Sequence, residues 1–180
     1  QAMFLRDPAL ALKTLDLALR RHPLSSIAVV DRPYTTLAIA YSIAGQPAIA
    51  KRYIAEYETN TPEVIRKNSN ARNWAAGYLA LAEDRARDAI AAFQRARDEG
   101  SCSNCAFFEL GQSYEMAKLP DSALIAYTHA VESPHDANSL DDRAWNDART
   151  YRRLGELYDE KGQKEKALDL LRNRLAGLLQ

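Results

Sequence analysis

Seven positions recur along this chain at one fixed set of offsets, and that recurrence leaves room for essentially one kind of architecture. From Phe107 the offsets 3, 4, 7, 16, 20 and 23 fall on Leu110, Gly111, Tyr114, Ala123, Tyr127 and Ala130. From Tyr34 they fall on Leu37, Ala38, Tyr41, Ala50, Ile54 and Tyr57. From Tyr151 they reach Leu154, Gly155, Tyr158, Ala167 and Leu171. A fourth unit keeps Gly77, Ala89, Phe93 and Ala96, but its aromatic, Trp74, stands one position late. Spacings of 3, 4 and 7 put side chains on one face of a helix. The later group marks a second helix in the same unit. A lone helix pair cannot bury its apolar face, so successive pairs must stack on one another.

Phe107-x2-Leu110-Gly111-x2-Tyr114, followed by Ala123 and Tyr127, resembles the tetratricopeptide repeat (TPR), a helix–turn–helix unit of roughly 34 residues. Full units are predicted at 31–64, 70–103, 104–137 and 148–180. Ala11, Leu15, Ala18 and Pro23 match the second-helix half of a further unit, giving a half-unit over 1–30. The chain is therefore expected to be one domain, 1–180, that begins inside a larger repeat array. The resemblance implies an all-α fold, a right-handed α-solenoid of antiparallel helix pairs. Small residues at Gly111, Gly155 and Ala123 are expected where helices cross closely, with Tyr41, Phe93, Tyr114 and Tyr127 filling the space between layers.

The turns and insertions refine this expectation. Gly45 and Gly162 sit at inter-helix turns. Two insertions interrupt the period. In the first, Thr61-Pro62-Glu63 reads as a helix start with proline at the first helical position. In the second, Ser139-Leu140-Asp141-Asp142 reads as a capping box. Both insertions are expected in part to lengthen the first helix that follows. Glu132 to Asn138 is expected to be a loop.

Composition excludes several function classes. The chain has 24 basic and 24 acidic residues, so no overall basic field draws it to nucleic acid or an anionic membrane. No apolar stretch is long enough for membrane insertion. Seven glycines leave little room for phosphate-cradling loops. No nucleophile elbow, zinc-protease motif or P-loop is present. The chain is therefore read as not an enzyme, with no cofactor. Cys102 and Cys105 form a single C-x2-C, half of what a structural zinc site needs, and His22, His129 and His135 lack ligand spacing. The pair is either a turn with two thiols or a local disulfide. His135, Asp136, Asp141 and Asp142 cluster in sequence without the order of a calcium loop, and helix capping accounts for the acids.

What remains is binding. Repeats of this family carry groove residues on the first helix of each unit. By that resemblance the candidate peptide-binding residues are Trp74, Tyr78, Phe108, Gln112, Glu115, Arg149 and Arg152. Trp74 and Phe108 share one repeat position, so their rings are expected side by side, with the arginines further along. The positions that grip a chaperone's terminal carboxylate hold Thr35, Ile39, Ala75, Cys105 and Glu109, leaving only Arg153 of suitable type, so that mode is not expected. Charge is segregated: 104–137 has one basic residue against five acidic, and 148–180 eight against five. The partner class is a protein or peptide. Asp31-Arg32-Pro33-Tyr34, the run Tyr78 to Glu83 and Arg153 to Tyr158 resemble the repeat arrays of large bacterial regulators, where repeats follow a serine/threonine kinase or other signalling domain. The rival readings are a structural spacer that self-associates as a homo-oligomer, and a regulatory region serving an upstream kinase.

Overall fold

Proline chemistry places several of the helix starts. Asp7 caps α1 (Pro8–Arg21) by accepting the Leu10 amide at 2.9 Å, and Pro8 occupies the first turn, where an N–H has no helical partner to lose. Pro47 and Pro120 open α3 (Pro47–Asn60) and α8 (Pro120–Glu132) in the same way. The remaining helices are α2 (Tyr34–Ile43), α4 (Glu63–Lys67), α5 (Ala71–Ala82), α6 (Ala86–Asp98), α7 (Phe107–Met116) and α9 (Leu140–Glu160). The structure, a computed structural model, describes residues 7–100, 105–132, 140–169 and 172. Among these no strand occurs. Ser139 and most of the loop expected at 132–138 lie outside the described residues.

The turns that follow α2, α5, α7 and α9 share one device. The residue at the fifteenth repeat position is left-handed each time: Gly45 at φ +73°, Asp84 at +55°, Lys118 at +59° and Gly162 at +70°. In each turn the following amide bonds back to a carbonyl five residues earlier. These bonds are Gln46 to Tyr41, Arg85 to Ala80, Leu119 to Tyr114 and Gln163 to Tyr158, at 2.8–2.9 Å. This closure satisfies carbonyls that the helix end would otherwise leave unpaired. Only two of the four positions carry the glycine that the conformation favours.

The chain forms two compact units, Gln1–Gly100 and Ser101–Gln180. In the first, α2 pairs with α3 and α5 with α6, and α5 packs on α2 and α3. Its core gathers Tyr34, Leu37, Tyr41, Tyr53, Tyr57 and Leu79, and α1 lays Leu12, Leu15 and Leu19 against it. Tyr41 and Tyr53 stack at 5.6 Å between centroids. In the second unit α7 pairs with α8 and α9 packs on α8, around Phe108, Ala123, Tyr127, Leu154 and Leu157.

The insertions behave differently from each other. The second is helical: α9 runs unbroken from Leu140 to Glu160. The first does not lengthen α5, contrary to the sequence expectation. It forms the separate short helix α4, because Asn68 and Ser69 interrupt the ladder. The Asn68 amide nitrogen donates to the Val64 carbonyl at 2.8 Å, and the Ser69 hydroxyl accepts the Ala71 amide at 3.2 Å. Such side chains offer the backbone an alternative to helical bonding. Arg66 then ties α4 back, donating to the Thr61 carbonyl at 3.0 Å and to Glu58 at 2.8 Å.

Candidate functional site

In the first unit the candidate residues surround one buried ring. Phe93 on α6 is fully buried, and it reaches α5 at Gly77. A Cβ at Gly77 would lie 2.5 Å from the Phe93 Cε1, far inside van der Waals contact, so this position needs glycine. Trp74 and Tyr78, four residues apart on α5, flank the same ring. Trp74 meets it edge-on with centroids 5.8 Å apart, and Tyr78 meets it at 90° and 5.4 Å. These are favourable aromatic geometries. Both side chains stay half-buried, so each is braced on one side and open to solvent on part of the other. The late aromatic of this unit has a local explanation. Asn73 occupies the usual aromatic position, is buried, and donates to Glu99 at the end of α6 at 2.8 Å.

In the second unit Phe108, Glu115 and Arg149 come together. Phe108 is 7% exposed, its ring tilted against Tyr127 at 5.8 Å. The Arg149 guanidinium lies over the ring, 4.7 Å from its centroid. Glu115 accepts from Arg153 at 2.8 Å, and Arg153 also contacts Glu156 at 2.8 Å and Glu160 at 3.2 Å. Burial disfavours the Arg153 charge, but the hydrogen bonds it donates to Glu156 and Glu115 outweigh it and push its pKa up. Burial first, and then the Glu115 carboxylate, push the Tyr127 phenol above its ordinary range. Gln112 is half-buried on α7, and Arg152 is exposed on α9 beside Glu156 at 3.7 Å. Trp74 and Phe108 share a repeat position yet belong to different units. Arg153, the single residue suited to a carboxylate clamp, is already occupied by three carboxylates.

Sequence reasoning passed over that Arg153 hub, although acids three and seven residues later on one helix face were a readable signal. Cys105, at the entry to α7, is disulfide-bonded; the other cysteine of the chain, Cys102, lies outside the described residues. His135 and Asp136 also lie outside them, as do the side chains of Asp141 and Asp142. Among the described residues no group of three or more His, Cys, Asp or Glu side chains stands together as a metal site. Among the same residues no helix is long and apolar enough to cross a membrane.

Neither a protein-family model nor a curated protein matches the chain. Two solved structures are similar in fold. "Crystal structure of MamA" superposes with a TM-score of 0.58 at 19% identity, over 92% of this chain and 85% of that one. "Crystal structure of MamA protein" gives 0.59 at 18% identity, over 94% and 90%. At this identity the likeness concerns the fold. The fold class is all-α, built of antiparallel helix pairs of the tetratricopeptide type.

Proposed function

We propose that the chain is a non-catalytic scaffold that binds a protein or peptide on the first-helix faces of its repeats, as the docking or sensory part of a larger bacterial regulator. The observation that carries this reading is the pair Trp74 and Tyr78. Two large amphipathic rings are held rigidly against Phe93 while part of each remains open to solvent. Such rings lose little entropy on binding and dominate the energetics of many interfaces. In the second unit, Gln112 and Arg152 are the polar contacts of the proposed face, with Arg149 and Glu115 beside them. Phe108 acts there from beneath, as the platform on which Arg149 rests. The solenoid fold class supports the reading, since stacked helix pairs present extended binding surfaces. The resemblance of Asp31 to Tyr34 and Arg153 to Tyr158 to bacterial regulator arrays supports the wider setting.

The test is a quantitative pull-down from source-cell extract with the wild type and two variants. Trp74→Ala is expected to weaken partner binding by about 2 kcal/mol or more. Arg152→Glu is expected to slow association and steepen its response to salt. Equal recovery of partners by the wild type and a folded Trp74→Ala would overturn the groove reading. If molecular mass also rose with concentration, the self-associating spacer would take its place.

A further inference from the structure

The first unit has a second recessed surface, on the opposite side of α5 from Trp74 and Tyr78. Arg72, Ala76, Leu79 and Ala80 share one face of α5, turned roughly 200° from Trp74 at 100° per residue. Arg85, which caps the start of α6, and Asp88, Ala92 and Arg95 on it follow one another at helical spacing along a single face. These two faces, with Ile54 of α3, enclose a cleft of about 330 Å³. That volume is at the small end of the roughly 300–1,000 Å³ range of ligand sites. Half-buried Ala76, Ala91 and Ile54 form the apolar part, over the buried Leu79, Ala80 and Ala92. Three arginines line it against a single acid, Asp88.

The arginines are not equivalent. Arg72 is bound to Glu58, which also accepts from Arg66 at 2.8 Å. Arg85 is bound to Glu83 at 2.7 Å and to Asp88, and Glu83 also pairs with Lys51 at 2.5 Å. These ion pairs fix two guanidiniums in place. Arg95 is exposed and has no carboxylate partner among the described residues. The lining holds three arginines and one carboxylate, so the cleft carries excess positive charge in a chain of zero net charge.

We propose that this cleft docks an acidic segment of a partner protein, with a carboxylate on Arg95 and a neighbouring aliphatic side chain on Ala76, Ala91 and Ile54. Charge complementarity selects the carboxylate, because the unpaired guanidinium offers a fork of donors to it. The apolar lining selects a peptide over a bare anion, since a phosphate ion would leave that surface uncovered. Glu58, Glu83 and Asp88 disfavour a nucleic-acid backbone. The cleft uses none of the residues of the function proposed above, so the two stand or fall separately.

The experiment is fluorescence anisotropy with the full chain and a fluorescein-labelled peptide of alternating glutamate and leucine, about eight residues long. Saturable binding is expected, weakened when salt rises from about 50 to about 300 mM. Arg95→Glu is expected to weaken it about tenfold or more. Arg95→Gln, which removes only the charge, is expected to act in the same direction to a smaller extent. Circular dichroism confirms that each variant is folded. Several results overturn the proposal. They are the absence of saturable binding, equal binding of the lysine–leucine counterpart, indifference to both Arg95 variants, and displacement by inorganic phosphate. A loss with Trp74→Ala equal to that with Arg95→Glu would move the peptide to the other face and overturn it too.

Discussion

The hairpins α5–α6 and α7–α8 solve one packing problem with different chemistry. Each places a glycine on its first helix against a buried ring on its second, Gly77 against Phe93 and Gly111 against Tyr127. The hairpin α2–α3 puts Ala38 and Ile54 at the same repeat positions. A smaller partner at the second position thus goes with a larger residue at the first, as a close-packed interface of fixed separation requires. The difference lies in what the ring brings with it. Phe93 is flanked by Trp74 and Tyr78, so its surroundings are aromatic. Tyr127 carries a hydroxyl into the interior, and Glu115 and, through it, Arg153 gather around it. Repeat position sets volume and approach; the atoms filling that volume recruit the neighbours.

The comparison breaks most sharply at the glycines. Gly111→Leu is expected to cost about 3 kcal/mol or more, because its side chain must occupy the space of the Tyr127 ring. Gly77→Leu should cost a similar amount through Phe93. Denaturant unfolding of both variants checks this, and a tolerated leucine at either site would mean that the two crossings are not equivalent.

A smaller effect separates the two rings. Tyr127→Phe should change stability at neutral pH by about 1 kcal/mol, as expected for one hydroxyl in a polar cluster. Its effect on pH dependence is more telling. The folded state holds the phenol protonated above the unfolded value of 10.0. Tyr127 therefore contributes fully below pH 10.0, and its contribution is lost as pH rises past that value toward the higher folded one. The wild type should lose stability above pH 10.0 more steeply than Tyr127→Phe. Urea titrations across that range with parallel slopes would remove Tyr127 from the explanation.

The smallest expected effect is a gain. Lys118 adopts φ +59°, a conformation that disfavours any residue with a Cβ, and Asp84 adopts +55°. Lys118→Gly should raise stability by about 0.5–1 kcal/mol. Asp84→Gly should gain less, since aspartate tolerates this region better. Melting temperatures rank the two, and a loss at Lys118 would show that its side chain matters to the turn.

Much of the architecture could be read without the structure. Leu37, Leu110 and Leu154 stand three residues after an aromatic, Tyr41, Tyr114 and Tyr158 stand seven after it, and all lie on first helices as their spacing demands. The separate α4 could not be read in this way, because two short polar side chains, Asn68 and Ser69, competed locally with helix continuation. The candidate site was legible in residue type but not in exposure. Trp74 and Phe108 share a repeat position and differ in fate, since an arginine of α9 covers Phe108 while Trp74 stays half open. The arginine cleft left no motif, because Arg72 and Arg95 come from different helices.

By itself the sequence determined the helix pairs, their period and, at Gly111, the place where a small residue lets them approach; at Gly155, where a close crossing is also expected, nothing lies within 4 Å of an added Cβ. Those features depend on side-chain volume and spacing within a few turns of chain. Tertiary structure alone decided that Asp84 and Lys118 would take the left-handed turn that Gly45 and Gly162 take readily. The packing of each pair demands one turn geometry, and its energy exceeds the strain of a single residue. Tertiary structure also decided which arginines would be neutralised and which left exposed. The pairs that join different elements, Arg72 with Glu58 and Lys51 with Glu83, depend on a distance that no spacing along the chain encodes.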